Sequence, residues 1–341
     1  MVVMVFTGAY VYLQWVKESC FGVAATTIQS AGENFGFEQK ISSWSFTNNK
    51  IALSQLNNVT LKTYAYGQTR GSASFDFVLS SPWFLGLVGF KTATTTGSGP
   101  YVHVYALDTS SDVKNVKSFT MQLGQDSATD IVRTAVGTIV NTASISTSVG
   151  DLAKVSLDTN FANESLTTSL DSSPTSLSTC TAVPFTFAHG TLEFPDCTTI
   201  AEVQDLDVTF SQNADHIWGV GSSVAASAVR KLFEITGKFK TSFTDSVQLQ
   251  KLYAQQKDTL CNTAASAETL LAEQPTLTLT FTNGGSSTAE RTIEIALTGI
   301  SLADHSTSIE PNEPIFEDLN FQARGCTITC TNNTEIEPAA A

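Results

Sequence analysis

The chain has few charged residues, and basic residues are the scarcer kind. Charged residues make up 15% of the 341 residues, with 18 Lys plus Arg against 32 Asp plus Glu and a formal net charge of −14. Globular domains typically contain about 25% charged residues. A protein that grips nucleic acid carries a basic patch, so this composition argues against tight nucleic-acid binding. It does not exclude a protein that lets nucleic acid pass.

A long unbroken apolar run is also missing, although sixteen residues precede the first charge at Lys17. Thr7, Gly8 and Gln14 interrupt this stretch, whereas a membrane helix needs about 18 apolar residues in succession. A secretory signal begins with basic residues, and none precedes the run. The aromatic and β-branched residues of 9–16 are typical of a strand. We therefore expect residues 1–16 to form an ordered arm or strand, with a signal peptide as the alternative.

The cysteines and histidines are not spaced as metal ligands. Among six cysteines, only Cys326 and Cys330 are close in sequence, and residues four apart on a strand lie about 13 Å apart. Cys180 and Cys197 could form a disulfide across a loop, but buried free thiols are the interpretation we favour. None of the four histidines has a second His or a Cys at ligand spacing. We predict no metal and no cofactor.

Residues that could perform catalysis do not form a recognisable set. His216 follows Asp215, and such a pair can orient a catalytic imidazole, but no G-x-S-x-G nucleophile motif is present. The glycines of 219–223 lack the lysine of a phosphate-binding loop. Two acidic pairs have no evident reason to converge as a glycosidase would require: Glu313 with Glu317, and Asp205 with Asp207. We predict that the protein is not an enzyme and has no catalytic residues.

Ser and Thr take the place of the missing charges. Thr suits strands and Ser suits turns, so the composition predicts an all-β fold with a minor α component. The length is sufficient for two ordinary domains.

A series of unlike elements occurs twice along the chain. GSASFDF (71–77) is followed by VLSSPWFLGLVGF (78–90), and GKFKTSF (237–243) is followed by TDSVQLQKLYAQQ (244–256). N-cap residues predict a flanking helix in each copy, over Ser81–Phe90 and Asp245–Gln256. Alternation then predicts a hairpin in each copy, over 101–124 and 275–299. In the second hairpin, one apolar row is expected to face another across the turn, Leu277, Leu279 and Phe281 against Ile293, Ile295 and Leu297.

This order predicts an internal duplication with a Ser/Thr-rich connection. AVGTIVNT (135–142) against ARGCTITC (323–330) is a third similarity between the copies. We assign residues 1–29 to an N-terminal arm, 30–165 to the first unit, 166–182 to the linker and 183–335 to the second unit, with a tail to residue 341.

Several segments resemble a known viral family. They are YVYLQWVKESCFGVAA near the N-terminus, FSQNADHIWGVGSS in the middle, FEITGKFKTSFTDSVQLQKL with the hairpin LTLTFTNGGSSTAERTIEIAL, and EDLNFQARG near the end. Together they are similar to the tail tube (major tail) proteins of long-tailed, non-contractile bacteriophages and related archaeal tailed viruses. The resemblance covers roughly residues 10–331.

The resemblance implies a fold and an assembly. Its unit is a β-sandwich with one flanking helix, and units join their sheets sideways into a closed barrel around a lumen. Members with a duplicated unit form rings of three with pseudo-sixfold symmetry. The chain would then be a virion structural protein, assembled in the host cytoplasm, whose stacked rings form the hollow tail tube that the genome passes through.

The resemblance also implies the partners. They are the protein itself, the tail terminator, the baseplate or tip, and the tape-measure protein, with viral DNA passing without specific binding and no membrane. A secreted or cell-surface β-sandwich adhesin or pilus-type subunit is the main alternative. An enzyme or sugar-binding module on a virion is a further one, and it would show a concave site with convergent polar groups.

Polar positions on the alternating strands are the candidates for the lumen wall, which should carry an excess of acidic charge. They are Ser74, Asp76, Ser118, Thr120, Gln122, Lys238, Lys240, Thr278, Thr280, Thr292 and Glu294. The opposite face should pack under the helix, and it offers Phe75, Phe77, Phe119, Met121 and Leu123. Lys238 and Lys240 count against a purely acidic wall, although they could pair with Asp76 or Glu234 of a neighbouring unit.

Four segments are candidates for contacts along the tube axis. They are the N-terminal arm, the tail after Cys330, and the loops Lys50–Thr60 and Lys91–Pro100.

Overall fold

The computed structural model is almost entirely β, as the composition predicted. It describes residues 11–26, 28, 32–56, 60–97, 100–108, 116–127, 129–171, 184–193, 203–242, 276–283, 291–309, 311 and 314–332. The strands are β1 Val11–Lys17, β2 Phe37–Asn48, β3 Ile51–Leu53, β4 Thr63–Ala65, β5 Thr69–Val78, β6 Phe90–Thr96, β7 Tyr101–Leu107, β8 Phe119–Gln125, β9 Ile131–Ser148, β10 Lys154–Phe161, β11 Asn163–Thr167, β12 Gly190–Glu193, β13 Val203–Ser211, β14 Asp215–Ile217, β15 Ser227–Val229, β16 Glu234–Ser242, β17 Leu277–Asn283, β18 Arg291–Thr298, β19 Ser301–Ser308, β20 Phe316–Ala323 and β21 Gly325–Asn332.

One antiparallel sheet runs through both halves of the chain. Its strands follow the order β19-β20-β16-β13-β9-β10-β5-β2, which we call the long sheet. The two halves meet where β13 pairs with β9, and we call this junction the seam. Among the described residues the long sheet is open, with β2 at one edge and β19 at the other.

The two halves of the long sheet have the same strand order. In the first half β10 lies between β9 and β5, and β5 pairs with β2. In the second half β20 lies between β19 and β16, and β16 pairs with β13. A short hairpin follows β2 as β3–β4 and follows β13 as β14–β15. Each of these elements of the first half therefore has a counterpart in the second.

Two smaller layers cover the apolar side of the long sheet. Strands β1, β8 and the first part of β9 form one layer, and six strands form the other in the order β12-β17-β18-β21-β7-β6. Buried residues from all three layers form one continuous core. It includes the five residues that the alternation assigned to the inner face: Phe75, Phe77, Phe119, Met121 and Leu123.

The second predicted hairpin is confirmed with its two apolar rows opposed, and the first is wrong. Leu277 lies opposite Leu297, Leu279 opposite Ile295, and Phe281 opposite Ile293. By contrast, β7 and β8 do not pair with each other, because β7 lies between β6 and β21 while β8 lies between β1 and β9. The first-half counterpart of β17–β18 is β8–β9.

The predicted first helix is a single 3₁₀ turn. It spans Trp83–Leu87, and all five of its residues are buried. An α-helix on the flank of a sandwich needs a polar face, which this stretch lacks. Gly89, with φ of 92°, ends the turn, and Phe90 already begins β6. The predicted helix Asp245–Gln256 lies outside the described residues.

One predicted boundary falls within a strand, and part of the predicted arm is a strand. Residues 11–17, assigned to the arm, form β1, in which Trp15 is 2% exposed and exchanges backbone hydrogen bonds with Glu33. Residues 166 and 167, assigned to the linker, belong to β11. The segment Lys91–Pro100 is not a loop, because β6 occupies most of it. Of the linker, only 166–171 are described, and the chain end beyond 332 is not.

The three cysteines in the described residues are free thiols, and two of them are buried. Cys326 and Cys330 are free and buried on β21, and burial raises the pKa of both thiols. Cys20 is free and exposed. Cys180, Cys197 and Cys261 lie outside the described residues.

Candidate assembly interface

The outward face of the long sheet is polar along its whole width. Cross-strand neighbours on this face are mostly Ser and Thr, as in the row Ser74, Asp158 and Thr142. Its basic residues are Lys40, Arg70, Lys154, Lys238 and Lys240, and its acidic residues are Asp76, Asp158, Asp205, Asp207, Glu234, Asp304 and Asp318. Five positive charges against seven negative ones leave this face with a small acidic excess. We call it the polar face.

The channel-lining candidates divide between two faces that point in opposite directions. Ser74, Asp76, Lys238 and Lys240 lie on the polar face. The candidates on β17 and β18 lie instead on the outward side of the six-stranded sheet: Thr278, Thr280, Thr292 and Glu294. Since the core lies between the two sheets, one channel cannot be lined by both sets.

Three further candidates are buried inside the chain. Ser118, Thr120 and Gln122 are 6%, 0% and 5% exposed, so they have almost no surface to offer a channel. The Ser118 and Thr120 hydroxyls donate to the Glu18 carboxylate at 2.6 Å and 3.0 Å. The reason is the segment that follows β1, because Glu18 accepts from both hydroxyls and the Ala25 N–H donates to the Thr120 hydroxyl at 3.0 Å. The alternation of β8 alone does not reveal these neighbours.

The two lysines of β16 face acidic residues of their own chain. Lys238 lies directly opposite Asp207, and Lys240 lies opposite Asp205 on one side and Asp318 on the other. Directly opposed side chains in an antiparallel pair are close enough to interact. Lys240 Nζ also lies 5.0 Å from the centre of the Phe316 ring. The pairing expected with Asp76 or Glu234 of a neighbouring unit stays a prediction.

The seam joins the two halves by main-chain pairing and by apolar packing. Seven successive residue pairs link β13 to β9, from Asp205 with Ser148 to Ser211 with Thr142. Phe210 is fully buried at this junction, with its ring 5.4 Å from that of Phe90.

Two polar side chains of the second half are hydrogen-bonded to backbone carbonyls of the first. Gln212 is 1% exposed, and its Nε2 donates to the Leu87 carbonyl at 2.9 Å. Arg230 donates from Nη2 to the Asp108 carbonyl at 2.5 Å, and burial lowers its pKa. A buried polar group left unpaired costs about 1–3 kcal/mol. These bonds therefore favour this docking of the two halves over any that would leave the groups unpaired.

The β14–β15 hairpin packs on the first half beside the seam. His216 is 4% exposed, and its Nε2 donates to the Gly137 carbonyl at 3.0 Å. Its ring lies 5.7 Å from that of Phe21, and burial is the main cause of a lowered pKa. The Asp215–His216 pair is therefore a structural contact, because the imidazole holds the two halves together.

An open cleft of about 440 Å³ lies at the polar end of the seam. It is lined by both halves, with Arg70, Asn141 and Asn160 from the first and Asn213, Asp215 and Lys231 from the second. Asp215 lies 3.4 Å from Lys231 and 3.9 Å from Arg70, with all three side chains well exposed. Exposed ion pairs contribute about 0–1 kcal/mol, so this cleft adds little to the seam's stability.

The edges of the long sheet expose main-chain hydrogen-bonding groups and apolar side chains. Phe46 on β2 is 37% exposed, and Ile309, just after β19, is 73% exposed. Unpaired edges of this kind bind other strands readily. These two edges, with the polar face between them, form the candidate assembly interface.

Across the described ranges, His, Cys, Asp and Glu side chains do not gather in groups of three or more that could hold a metal ion. Nor do those ranges contain a helix with the length and apolar character needed to cross a membrane.

Comparison with known families settles the class of protein. The profile of the phage tail tube protein family matches residues 8–323, nearly the whole chain. The chain belongs to the phage tail tube protein family. A search of curated proteins gave no match. Phage tail tube proteins are structural components of virions, and the all-β fold found here agrees with that role.

Sequence reasoning missed the residues that join the two halves at the seam in this tail tube family member. Gln212, Arg230 and His216 each lie in short irregular or hairpin segments, where polar residues are expected to be solvated. Nothing in their spacing indicates that they cross to the other half. The edge positions Phe46 and Ile309 carried a weak signal, since both are apolar residues in otherwise polar stretches.

Proposed function

We propose that the protein forms stacked rings of three chains whose long sheets join into one closed barrel. The observation that supports this most directly is the seam, where the second half of the chain already pairs with the first edge to edge. The free edge β2 occupies the same place in the first half as β13 does in the second, and β19 corresponds to the paired part of β9. Repeating the seam between copies pairs β2 of one chain with β19 of the next.

Ring closure follows from that repetition. Each chain contributes eight strands to the long sheet, so three chains would close a barrel of twenty-four strands. Closure removes both exposed edges of the long sheet, which is the usual solution to edge pairing in β proteins. Two equivalent units per chain give such a ring its pseudo-sixfold symmetry.

The equivalence of the two halves is supported by a matched glycine–phenylalanine pair. Gly71 lies opposite Phe161, and Gly237 lies opposite Phe321. In both places the ring covers the glycine, because an added Cβ would lie 1.9 Å and 2.3 Å from ring atoms. We infer an internal duplication, with these pairs in equivalent positions.

The matched pairs fix the expected register between copies. Phe46 lies opposite Gly71 as Val208 lies opposite Gly237, and Val208 pairs with Ile145 across the seam. The residues of β19 can be matched to those of β9 by counting from the matched phenylalanines along β20 and β10. This makes Thr307 the counterpart of Ala143. It therefore predicts Phe46 opposite Ile309 of the next chain, and Asn48 opposite Thr307.

The polar face would line the lumen. Its small Ser and Thr side chains and its acidic excess suit a wall along which DNA moves without being held, since each Lys or Arg contact to phosphate adds affinity. Ser74, Asp76, Lys238 and Lys240 remain candidates for this wall. The threonine-rich face of β17 and β18 would lie on the outside of the tube.

Assembly into a virion tail also requires other components. We propose contacts with the tail terminator, the baseplate or tip and the tape-measure protein, assembly in the host cytoplasm, and passage of viral DNA through the tube. An enzymatic role has no support in the interface described above.

Cysteine crosslinking tests the ring contact. In the pair Asn48→Cys with Thr307→Cys, the predicted register brings the two side chains to the same face of neighbouring chains, and both positions are exposed in the single chain. Oxidation of assembled protein should give covalent trimers on denaturing gels.

A shift of one residue provides the control. In Thr47→Cys with Thr307→Cys the two side chains would point to opposite faces, so covalent trimers should not form. Equal crosslinking of both pairs, or covalent hexamers as the closed species, would contradict the proposed ring.

A further inference from the structure

The β3–β4 hairpin exposes more apolar surface than a soluble chain usually leaves uncovered. Large apolar patches on monomers generally mark interaction sites. Within 51–66, six apolar side chains are between 44% and 97% exposed: Ile51, Leu53, Leu56, Leu61, Tyr64 and Tyr66. The single chain buries almost none of this hairpin.

The equivalent hairpin of the second half is buried against the first half. Hairpin β14–β15 follows β13 as β3–β4 follows β2. Ala214 and Ala228 pack with Ile139 and Val116 in a small separate apolar cluster. His216 adds its hydrogen bond to the Gly137 carbonyl. This hairpin therefore docks sideways, on the neighbouring unit of the same sheet.

The second half presents a surface equivalent to the one around Gly137. Strand β9 changes layers at Gly137, and the chain changes layers between β18 and β19 at Gly299. Both glycines have a left-handed backbone, with φ of 61° and 66°. Beside Gly137 lie Phe21 and Ala162, whereas the nearest atoms to an added Cβ at Gly299 belong to the Arg324 side chain.

Charge also favours a meeting of these two surfaces. Residues 48–67 contain two lysines, Lys50 and Lys62, and no acidic residue. Residues 183–341 contain eight Lys plus Arg against twenty Asp plus Glu. A basic hairpin is therefore attracted to the second unit of another copy, and its tyrosines offer ring faces to the Arg324 guanidinium.

We propose that the β3–β4 hairpin is a lateral clasp, which docks on the second unit of the neighbouring chain in the same ring, at the bend around Gly299. This inference rests on the proposed ring and adds a second contact to the β2–β19 pairing. It differs from the expectation that the segment Lys50–Thr60 stacks one ring on the next. The partner is a second copy of this chain.

Exposed apolar residues of the hairpin can be changed without touching the core. The double variant Ile51→Ser with Leu53→Ser should remain folded and should require at least about tenfold more protein to assemble. Val220→Ser, at a fully exposed position on the loop after β14, is the matched control and should assemble like wild type. Assembly of the double variant at the wild-type concentration would overturn the clasp.

Photo-crosslinking identifies the partner surface. A photoreactive phenylalanine replacing Tyr64 in assembled tubes should crosslink to peptides from 291–325 of another copy, and the same product should form in isolated rings. Crosslinks to any other region, or only between stacked rings, would overturn the clasp. If the cysteine pair on β2 and β19 crosslinks in the tubes but the photoreactive residue at position 64 crosslinks elsewhere than 291–325, only the clasp is refuted. A chain that never assembles refutes the ring as well.

Discussion

At the scale of single residues, the clearest constraints come from positions where the sequence gives no hint of a partner. Gly71 and Gly237 were recognised as the starts of two similar strands, but their need for glycine comes from Phe161 and Phe321 on adjacent strands. Sequence spacing predicts neighbours along one strand. It does not predict which aromatic ring a distant strand brings over a glycine.

We expect Gly71→Ala and Gly237→Ala each to lower the free energy of unfolding by about 1–3 kcal/mol, because overpacking forces the opposing ring to move. Chemical denaturation measures this change in the free energy of unfolding, provided that its dependence on denaturant concentration has the same slope in the variants and the wild type. Gly219→Ala is the control, since an added Cβ meets nothing within 4 Å there. A pair of variants as stable as the control would show that the rings do not constrain these glycines.

His216 should make the fold sensitive to acid. Burial lowers its pKa in the folded chain, while the unfolded chain retains a value near 6.5. The unfolded state then binds protons more readily, so this contribution to stability is complete above about pH 6.5 and declines as the pH falls below it. His216→Gln keeps a donor near Gly137 and should flatten the stability profile between about pH 7 and 5. If the dependence of stability on pH is the same in the variant as in the wild type, His216 is not the cause of the acid sensitivity.

The thiols should differ in reactivity according to burial. In a background with Cys180, Cys197 and Cys261 replaced by Ser, a thiol reagent should modify Cys20 rapidly. Cys326 and Cys330 should react only as fast as the chain unfolds, because burial suppresses the thiolate. Mass spectrometry of the labelled peptides measures the rates. Rapid labelling of β21 in folded protein would contradict its buried position.

At the scale of elements, period-two alternation predicted the two faces of strands but not which strands are partners. It predicted which residues of β17 and β18 face each other as apolar rows, because both strands have one apolar and one polar face. It could not distinguish a hairpin from two strands of different sheets, which is why β7 and β8 were joined wrongly. The supposed first helix failed because an apolar run with two glycines suits a buried turn equally well.

Strand β1 should be required for folding. Trp15 is 2% exposed within it, so Trp15→Ala should reduce the free energy of unfolding by about 3–5 kcal/mol. Deleting residues 1–16 should then give insoluble protein instead of a folded chain that merely fails to polymerise. Val11→Ser, at a 36% exposed position of the same strand, should be nearly neutral in thermal unfolding. A folded, soluble deletion variant would show that β1 is a detachable arm.

At the scale of the whole molecule, the resemblance in sequence predicted the family. The proposed assembly depends on the strand order of the long sheet, which the sequence did not predict. The division of the channel candidates into two opposite faces could not be read from the strands alone, because every alternating strand has a polar side. Which side meets a lumen depends on the layer to which a strand belongs. In the proposed ring, the long sheet, which runs through both halves, supplies the face that meets the lumen.

The sign of the wall charge gives a prediction for assembled tubes. Asp76→Lys with Asp158→Lys reverses two charges on the polar face, and short duplex DNA should then be retained in a salt-dependent manner. Glu193→Lys with Glu294→Lys makes the same change on the six-stranded sheet and serves as the control in a co-sedimentation assay. If the control tubes retain more DNA than tubes of the polar-face variant, the six-stranded sheet, and not the polar face, lines the lumen.

Helical reconstruction of the assembled tube by electron cryomicroscopy tests the ring most directly. We predict three chains in each ring, a continuous barrel of twenty-four strands, and β2 of each chain hydrogen-bonded to β19 of the next with Phe46 opposite Ile309. The polar face should line the lumen, with more Asp and Glu than Lys and Arg. Six chains per ring, or a barrel in which β2 and β19 remain unpaired, would contradict this arrangement.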